Sequence, residues 1–219
     1  MTDFIVPFCE QKVVILYADE DVVVVDKPSG LLSVPGKHPL NKDCLITRVQ
    51  EQYPDAYIVH RLDMDTSGVM VLARGKENLS ALSRQFQERQ THKQYLAWVY
   101  GIMSDDEGEV DLPLRCDWPN RPKQMVDHEL GKPSLTRFEV LERKLETLQS
   151  KVLLKPVTGR SHQLRVHMAA LGHPISGCEF YAHKQALEQA TRLQLHAWKL
   201  SFTHPSTGAP FLWTAPEVF

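Results

Sequence analysis

Three features are scarce in this chain of 219 residues: paired cysteines, long apolar runs and an excess of positive charge. The four cysteines lie far apart and none belongs to a CxxC pair, so the sequence does not indicate a zinc site. No apolar run reaches membrane-spanning length, and the N-terminus lacks a basic region before an apolar stretch. We therefore expect neither a transmembrane helix nor a signal peptide. We expect the cysteines to be free thiols in a reducing cytoplasm.

The balance of charge does not by itself favour a nucleic-acid partner. The formal net charge is −2 at pH 7, whereas proteins that grip nucleic acid without sequence preference are usually basic. A well-mixed surface is the simplest interpretation of the composition. If the protein binds RNA, its positive charge must be concentrated locally.

The distribution of apolar residues predicts an α+β fold with a mixed, mainly antiparallel sheet and flanking helices. Strands and helices do not alternate regularly, which argues against a doubly wound parallel sheet. We find no internal repeat or low-complexity linker and expect one domain over residues 1–219. Predicted strands lie near 13–16, 22–26, 69–73, 93–100, 134–142, 148–155, 192–203 and 211–214, and predicted helices near 43–52, 76–89 and 161–171.

Two segments carry local signals that bear on function. Residues 113–133 are rich in proline, charge and turn residues, which predicts a long loop or hairpin rather than core. Thr158 and Gly159 precede the last predicted helix, for which Ser161 is the expected N-cap and Gly172 the expected stop.

The stretch HRLDMDTSG at residues 60–68 predicts a polar loop that leads into a buried strand, a common place for a catalytic side chain. Asp63 is a candidate nucleophile or base, because the neighbouring guanidinium of Arg61 favours the charged form of its carboxylate. Arg61 itself suits a phosphate or carboxylate. Taken alone, such an Asp and Arg more often form an ordinary ion pair.

This stretch resembles the HRLDxxTSG signature of the RluA family of pseudouridine synthases. Other segments resemble family segments in the family's order: KPSGLLSVPG at 27–36, KQYLAWVYG at 93–101, GKPSLTRFEVL at 131–141, TGRSHQLRVHMAALGHPI at 158–175 and HPSTG at 204–208. Together they cover most of the chain. The resemblance implies the pseudouridine synthase catalytic fold, in the compact form that has no appended RNA-binding domain.

In that family the aspartate of HRLD is catalytic, which implies this role for Asp63. The glycosidic N–C bond of a uridine breaks, the base turns, and C5 bonds to C1′. The aspartate attacks the sugar or the base, or removes a ribose proton; the sequence leaves these alternatives open, and each needs an ionised carboxylate near the ribose. The reaction is redox-neutral, so we expect no cofactor and no metal. Asp65 is the competing carboxylate, which we interpret as structural or surface.

The resemblance implies two further catalytic residues. A basic residue of the HQLR segment, here Arg165, pairs with the catalytic aspartate and orients it. Tyr95, in KQY, is the ring that stacks on the target uracil, because the enzyme must extrude the nucleotide to reach C1′. Without the resemblance, we would place Tyr95 in the core and Arg165 on a solvated helix face.

The remaining candidates are substrate-binding residues. Arg61 enters the space left by the flipped nucleotide or holds a phosphate, and His60 is expected to buttress the loop. The HQLR segment and the proline-rich loop add cations, apolar groups and an aromatic ring, which suit looped RNA. These further candidates are Arg160, His162, Leu164, Trp118, Arg121 and Lys123.

One position departs from the family pattern. After GHPI the family usually has a Gly-Asp pair, and here Cys178 stands in place of that aspartate. The implied substrates are uridines in structured loops of tRNA (the anticodon stem-loop) and 23S rRNA, bound by a monomer away from membranes. A non-catalytic RNA-binding protein on the same fold is the main alternative. A glycosidase-like hydrolase is a third, but only Asp63 and Asp65 could supply its two carboxylates.

Overall fold

The computed structural model describes residues 4–219, which divide into two compact units. The terminal unit contains residues 4–93 and 197–218, and the central unit contains residues 94–196 and Phe219. Among residues 4–219, no helix is both long enough and apolar enough to cross a membrane. Each unit is described separately below.

The elements are numbered in chain order. The strands are β1 (Val14–Ala18), β2 (Val22–Lys27), β3 (Ala56–Ile58), β4 (Ser67–Arg74), β5 (His92–Tyr100), β6 (Glu107–Asp111), β7 (Leu114–Cys116), β8 (Gln124–Val126), β9 (Leu135–Lys144), β10 (Gln149–Pro156), β11 (Leu195–Thr203) and β12 (Pro210–Thr214). The helices are α1 (Leu45–Gln50), α2 (Gly75–Gln87), α3 (Gln163–Ala170) and α4 (Lys184–Glu188), with a 3-10 turn at Trp118–Asn120.

The sheet of the terminal unit is built on β2 and β4. The valines of β2, residues 22–25, are fully buried, as β-branched residues in a central strand commonly are. Strand β2 pairs antiparallel with β1 and with β4, where Val24 faces Val71. Helix α2 contributes the buried Leu82 to the same core, which also contains Phe202 of β11.

The glycine of the TSG turn has a steric reason to be glycine. Gly68, at the start of β4, has a φ of +117°, and a Cβ on it would lie 2.2 Å from the carbonyl oxygen of Ala197. Any side chain would therefore force β4 away from β11, the next strand in the sheet. This close approach fixes the end of the loop that carries Asp63.

The central unit contains the antiparallel ladder β5–β10–β9–β6. Strand β10 contributes Val152 and Leu154 to the core, and α3 adds Leu164 and Met168. The segment 113–133 forms a separate two-stranded hairpin, β7 with β8, around the 3-10 turn. The predicted hairpin is thus confirmed.

The predicted α+β class with a mainly antiparallel sheet and flanking helices is confirmed. Strands β3 and β6 and helix α4 were not predicted. The expectation that Ser161 caps α3 is wrong, because His162 occupies the cap position with a φ of 52° and makes no capping side-chain hydrogen bond. Gly172, with a φ of +83°, follows the end of α3 as expected.

Candidate active site

Asp63 lies half-buried in the loop between β3 and β4, and the backbone on both sides of it is held by the segment KPSGLLS, residues 27–33. The Ser33 hydroxyl donates to the Leu62 carbonyl at 2.7 Å and accepts the Leu62 N–H at 3.2 Å. On the other side, the Gly30 N–H donates to the Met64 carbonyl at 2.9 Å. The residues before and after Asp63 are therefore fixed by hydrogen bonds.

Lys27 strengthens this arrangement from within the core. It has no exposed surface, and its Nζ donates to the carbonyls of Pro28, Leu31 and Met64 at 2.7–2.9 Å. Burial lowers the pKa of Lys27 from 10.5 to about 7, although negative charges nearby, first that of Asp65, oppose the shift. A single buried ammonium thus ties the KPSG turn to the loop that carries Asp63.

His60 has the position of a support for the loop. Its Nε2 accepts the Val71 N–H at 3.2 Å, and its ring stacks on Phe86 with centroids 4.5 Å apart. Burial, and then the charge of Lys93, lowers its pKa to about 3. His60 is therefore neutral at physiological pH, and these contacts agree with the predicted buttress.

The other polar residues of the loop differ in exposure. Arg61 is exposed, as a residue that reaches a phosphate or a vacated base position must be. Asp65 is half-buried, and its carbonyl accepts the Ser29 hydroxyl at 2.7 Å. The backbone of Asp65 is thus part of the support around Asp63.

In the central unit, Arg165 is held by the packing of its side chain. It lies on α3 and is only 2% exposed. Its guanidinium carbon lies 5.1 Å from the Phe180 ring centroid and 5.5 Å from that of Tyr181, and its Nε donates to the Cys178 sulfur at 3.3 Å. Cys178 therefore makes a polar contact with Arg165.

The start of α3 is organised by two side chains. The side-chain oxygen of Gln163 accepts from the Thr158 hydroxyl and from the Arg160 N–H, while its amide donates to Leu135 and Thr136. His162 stacks on Phe180 at 5.7 Å, so it contacts the same ring as Arg165. The TGRS turn is consequently held to α3 by hydrogen bonds.

The remaining candidates vary in exposure. Tyr95 is half-buried in β5 opposite Leu154, and it packs against the core of the central unit. Leu164 is 7% exposed and belongs to that core, so it supports the unit from inside. Arg160 is half-buried, with its guanidinium 3.4 Å from the Pro133 carbonyl.

The β7–β8 turn presents an aromatic and cationic surface. Trp118 is 60% exposed, and the Arg121 guanidinium carbon lies 3.9 Å from its ring centroid. Lys123 is half-buried, and its carbonyl closes the neck of the turn by accepting the Asp117 N–H. Exposed aromatic and guanidinium planes are surfaces on which RNA bases stack.

One group of possible metal ligands was found among residues 4–219: Asp19, Asp21 and His204. His204 Nδ1 accepts the Thr207 N–H, which places the ring proton on Nε2, where it is donated to Asp19 at 3.0 Å. The Tyr17 hydroxyl donates to the same carboxylate oxygen. These atoms form a hydrogen-bonded group that closes the β1–β2 turn.

Sequence reasoning missed the residues that hold the predicted ones. Lys27, Ser29 and Ser33 were quoted only as a family segment, and Gln163 and Tyr181 were not singled out. The KPSG segment, which accompanies HRLD in the family resemblance, is the signal that could have pointed to Lys27. Its hydrogen bond to Met64, however, spans 37 residues.

The family model described as RNA pseudouridylate synthase matches residues 21–170 of this chain. The chain belongs to the RNA pseudouridylate synthase family. It is therefore an isomerase that acts on RNA, which excludes the alternative of a non-catalytic RNA-binding protein.

Relatives of this synthase include proteins called dual-specificity RNA pseudouridine synthase RluA. The proteins from Salmonella typhi and Escherichia coli K12 are each 56% identical to it over 96% of this chain and 95% of their own length. Among solved structures, human RNA pseudouridylate synthase domain containing 1 has a TM-score of 0.80 at 31% identity, covering 96% of this chain and 86% of that one. The predicted family and fold are thereby confirmed.

Proposed function

We propose that this synthase converts uridines in structured RNA loops, in the tRNA anticodon stem-loop and in 23S rRNA, to pseudouridine, with Asp63 as the catalytic carboxylate. The observation that carries the proposal is the fixed backbone around Asp63, where Leu62 and Met64 are both hydrogen-bonded to the KPSGLLS segment. Holding a reacting group in a fixed position accounts for a large part of the lowering of many catalytic barriers. The term "dual-specificity" in the names of the bacterial relatives supports two RNA substrates.

The proposed reaction is an isomerisation whose atoms balance without a co-reactant. The N1–C1′ bond breaks and a C5–C1′ bond forms; C5 loses its proton, and N1 of the rotated base carries one. Asp63 assists as a nucleophile or as a base toward the ribose, and either role needs the ionised carboxylate. The chemistry involves no change of oxidation state.

Tyr95 and Arg165 have separate proposed roles. The ring of Tyr95 compensates the flipped uracil for the stacking it loses. Arg165 orients the catalytic carboxylate, and its own orientation is limited by the rings of Phe180 and Tyr181. A guanidinium packed against aromatic rings loses freedom to rotate, which suits this task.

The substrate-binding residues are proposed to act at two places along the RNA. Arg61 and Arg160 supply cations to the backbone near the target, where contacts position the nucleic acid. His60, His162 and Leu164 support these contacts from behind. Trp118, Arg121 and Lys123 hold a single-stranded part of the loop through stacking and charge.

We also propose that the whole chain acts as a single catalytic domain, as a monomer and in the cytoplasm, where its RNA substrates are found. Exposed cations on each unit, Arg61 and Arg121, support recognition of RNA by this chain itself. Size-exclusion chromatography with light scattering measures the oligomeric state directly.

The primary experiment maps pseudouridine in total RNA from cells with and without this gene. Sites in tRNA anticodon loops and in 23S rRNA should disappear when the gene is deleted and return with the wild-type copy. Loss at other RNA classes alone would overturn the proposed substrates.

In a purified system, tritium release from C5-labelled uridine should be abolished by Asp63→Asn, because the amide can neither ionise nor act as a base. Asp65→Asn is the matched control, two residues away in the same loop, and should retain most activity. Near-normal release by Asp63→Asn would remove Asp63 from the mechanism.

A further inference from the structure

Tyr181 connects two regions of the central unit that the proposed function uses. Its hydroxyl oxygen accepts the Gln124 backbone N–H at 2.8 Å and lies 2.7 Å from His162 Nδ1. Gln124 is the first residue of β8 and directly follows the turn that presents Trp118 and Arg121. The hydroxyl therefore holds the C-terminal side of that turn.

The ring of Tyr181 packs near the guanidinium of Arg165, to which we assign a role in the chemical step. The Tyr181 ring centroid lies 5.5 Å from the Arg165 guanidinium carbon, and the ring stands edge-on to that of His162. Phe180 and Cys178 also contact the Arg165 guanidinium. A guanidinium beside an aromatic ring is attracted to it and loses freedom to rotate.

We propose that Tyr181 is a positioning residue with two separable roles: its hydroxyl sets the β7–β8 turn for RNA binding, and its ring sets Arg165 for the chemical step. This inference rests on the proposed function, and it adds a residue that none of the motif arguments singled out. The two roles belong to different atoms of one side chain, so substitutions can separate them.

The hydrogen-bond pattern explains why the hydroxyl matters to the turn. Asp117 N–H donates to the Lys123 carbonyl at 3.0 Å, which closes the neck of the turn from inside. The next residue, Gln124, directs its N–H to Tyr181. Without the hydroxyl this N–H loses its protein partner, and the C-terminal side of the turn loses its contact with Tyr181.

The first test compares Tyr181→Phe with the wild-type synthase on a tRNA anticodon stem-loop. Removal of the hydroxyl, with its contacts to the Gln124 N–H and to His162, should raise Kd by about 3- to 10-fold, while the single-turnover rate at saturating enzyme stays near that of the wild type. Amide hydrogen exchange in residues 117–126 should become faster in the free protein. Tyr100→Phe is the matched control, because the Tyr100 hydroxyl bonds to exposed Gln185 in the same unit; it should change none of these values.

The second test removes the ring. Tyr181→Leu should raise Kd as Tyr181→Phe does and should also lower the single-turnover rate, by about tenfold or more, because Arg165 loses one of its aromatic neighbours. Should this variant not fold, as judged by thermal unfolding, Tyr181→Met preserves more of the volume and takes its place.

The third test asks whether the hydroxyl acts through the turn. In a double-mutant cycle, Arg121→Ala and Tyr181→Phe should be non-additive in Kd, since both act on the same contact with RNA. Additive losses would mean that the hydroxyl does not act through Arg121.

Three outcomes overturn the inference: unchanged Kd and exchange in Tyr181→Phe, a slower chemical step in Tyr181→Phe, or equal single-turnover rates in the Phe and Leu variants. A wild-type protein that makes no pseudouridine contradicts the proposed function instead. Normal wild-type turnover with any of the three outcomes contradicts the role of Tyr181 alone.

Discussion

Asp63 in the terminal unit and Arg165 in the central unit are held in place by different means. Around Asp63 the protein fixes the backbone, through Lys27, Ser29 and Ser33. Around Arg165 it fixes the side chain, against the rings of Phe180 and Tyr181 and the sulfur of Cys178. The first region consists of polar groups that donate to carbonyls, and the second consists mainly of side-chain surfaces.

This difference has a physical reason. Aspartate has a short side chain, so fixing its Cα fixes the carboxylate within a small volume. Arginine has a long side chain with about 2 kcal/mol of rotamer entropy, and a fixed backbone alone would leave its guanidinium mobile. We therefore expect the terminal-unit region to be sensitive to lost hydrogen bonds, and the central-unit region to be sensitive to lost shape.

After the complete loss expected for Asp63→Asn, the largest effect is expected from Arg165. Arg165→Ala should lower the single-turnover rate by about two orders of magnitude, because a misplaced reacting group costs this much. Arg165→Lys keeps the charge but loses the planar group that packs against the rings, so it should recover only a small part of the rate. Single-turnover rates at saturating enzyme are the measurement.

Arg137→Ala is the control for this series, because Arg137 is mostly exposed in the same unit and pairs with Glu109. If Arg165→Ala instead shows a wild-type rate with weakened, less salt-dependent binding, Arg165 is a phosphate contact. Full rescue by lysine would show that charge alone is required.

Tyr95 should show the next largest effect. Tyr95→Ala should lose stacking of about 1–3 kcal/mol, which corresponds to a reduction in turnover of about 5- to 150-fold. Tyr95→Phe keeps the ring and should retain much more activity than the alanine variant. Equal and severe losses in both would assign proton transfer through the hydroxyl, rather than stacking, to Tyr95.

Some parts of the structure were easier to predict from the sequence than others. The loop of Asp63 was predictable because a polar HRLD motif precedes a continuous apolar strand, β4. Strand β6 was missed because its sequence, EGEVD, has one apolar residue. It is an edge strand in which Val110 is buried and Gly108 lies against Phe138, and charged edge strands give little hydrophobic signal.

The support for the site was less predictable than the site itself. The Lys27–Met64 bond and the Tyr181–Gln124 bond join residues that are distant in the chain, and no local periodicity reports them. A lysine before Pro-Ser-Gly suggests an exposed turn, because charged side chains are rarely buried without partners. Here the partners are backbone carbonyls, which the sequence does not identify.

Lys27→Met tests the hydrogen-bonded region. The variant removes a donor from three carbonyls, so the free energy of unfolding at neutral pH should fall by about 1–3 kcal/mol, and turnover should fall by about tenfold. Lys12→Met, at an exposed position in the same unit, is the control. Equal turnover in the two variants would show that Lys27 does not position the loop.

The effect of Lys27 on stability should also depend on pH. Its pKa is about 7 in the folded protein and near 10.5 when unfolded, so the unfolded chain binds more protons between these values. Wild-type stability should therefore gain relative to Lys27→Met as pH rises from 7 toward 10. A constant difference would contradict the lowered pKa.

The smallest effect is expected from His60 and concerns stability in acid. Its pKa is about 3 in the folded protein, against about 6.5 in the unfolded chain, so the unfolded chain takes up the proton first as pH falls through this range. Protonation of Nε2 would also break the hydrogen bond from the Val71 N–H. Wild-type stability should therefore decline between pH 6.5 and pH 3.

His60→Gln offers an acceptor that does not titrate and should reduce this decline, measured by denaturant unfolding across the range. His128→Gln, at an exposed position, should leave the decline unchanged; the same acid dependence in wild type and His60→Gln would show that the buttress of the Asp63 loop is not the group that titrates.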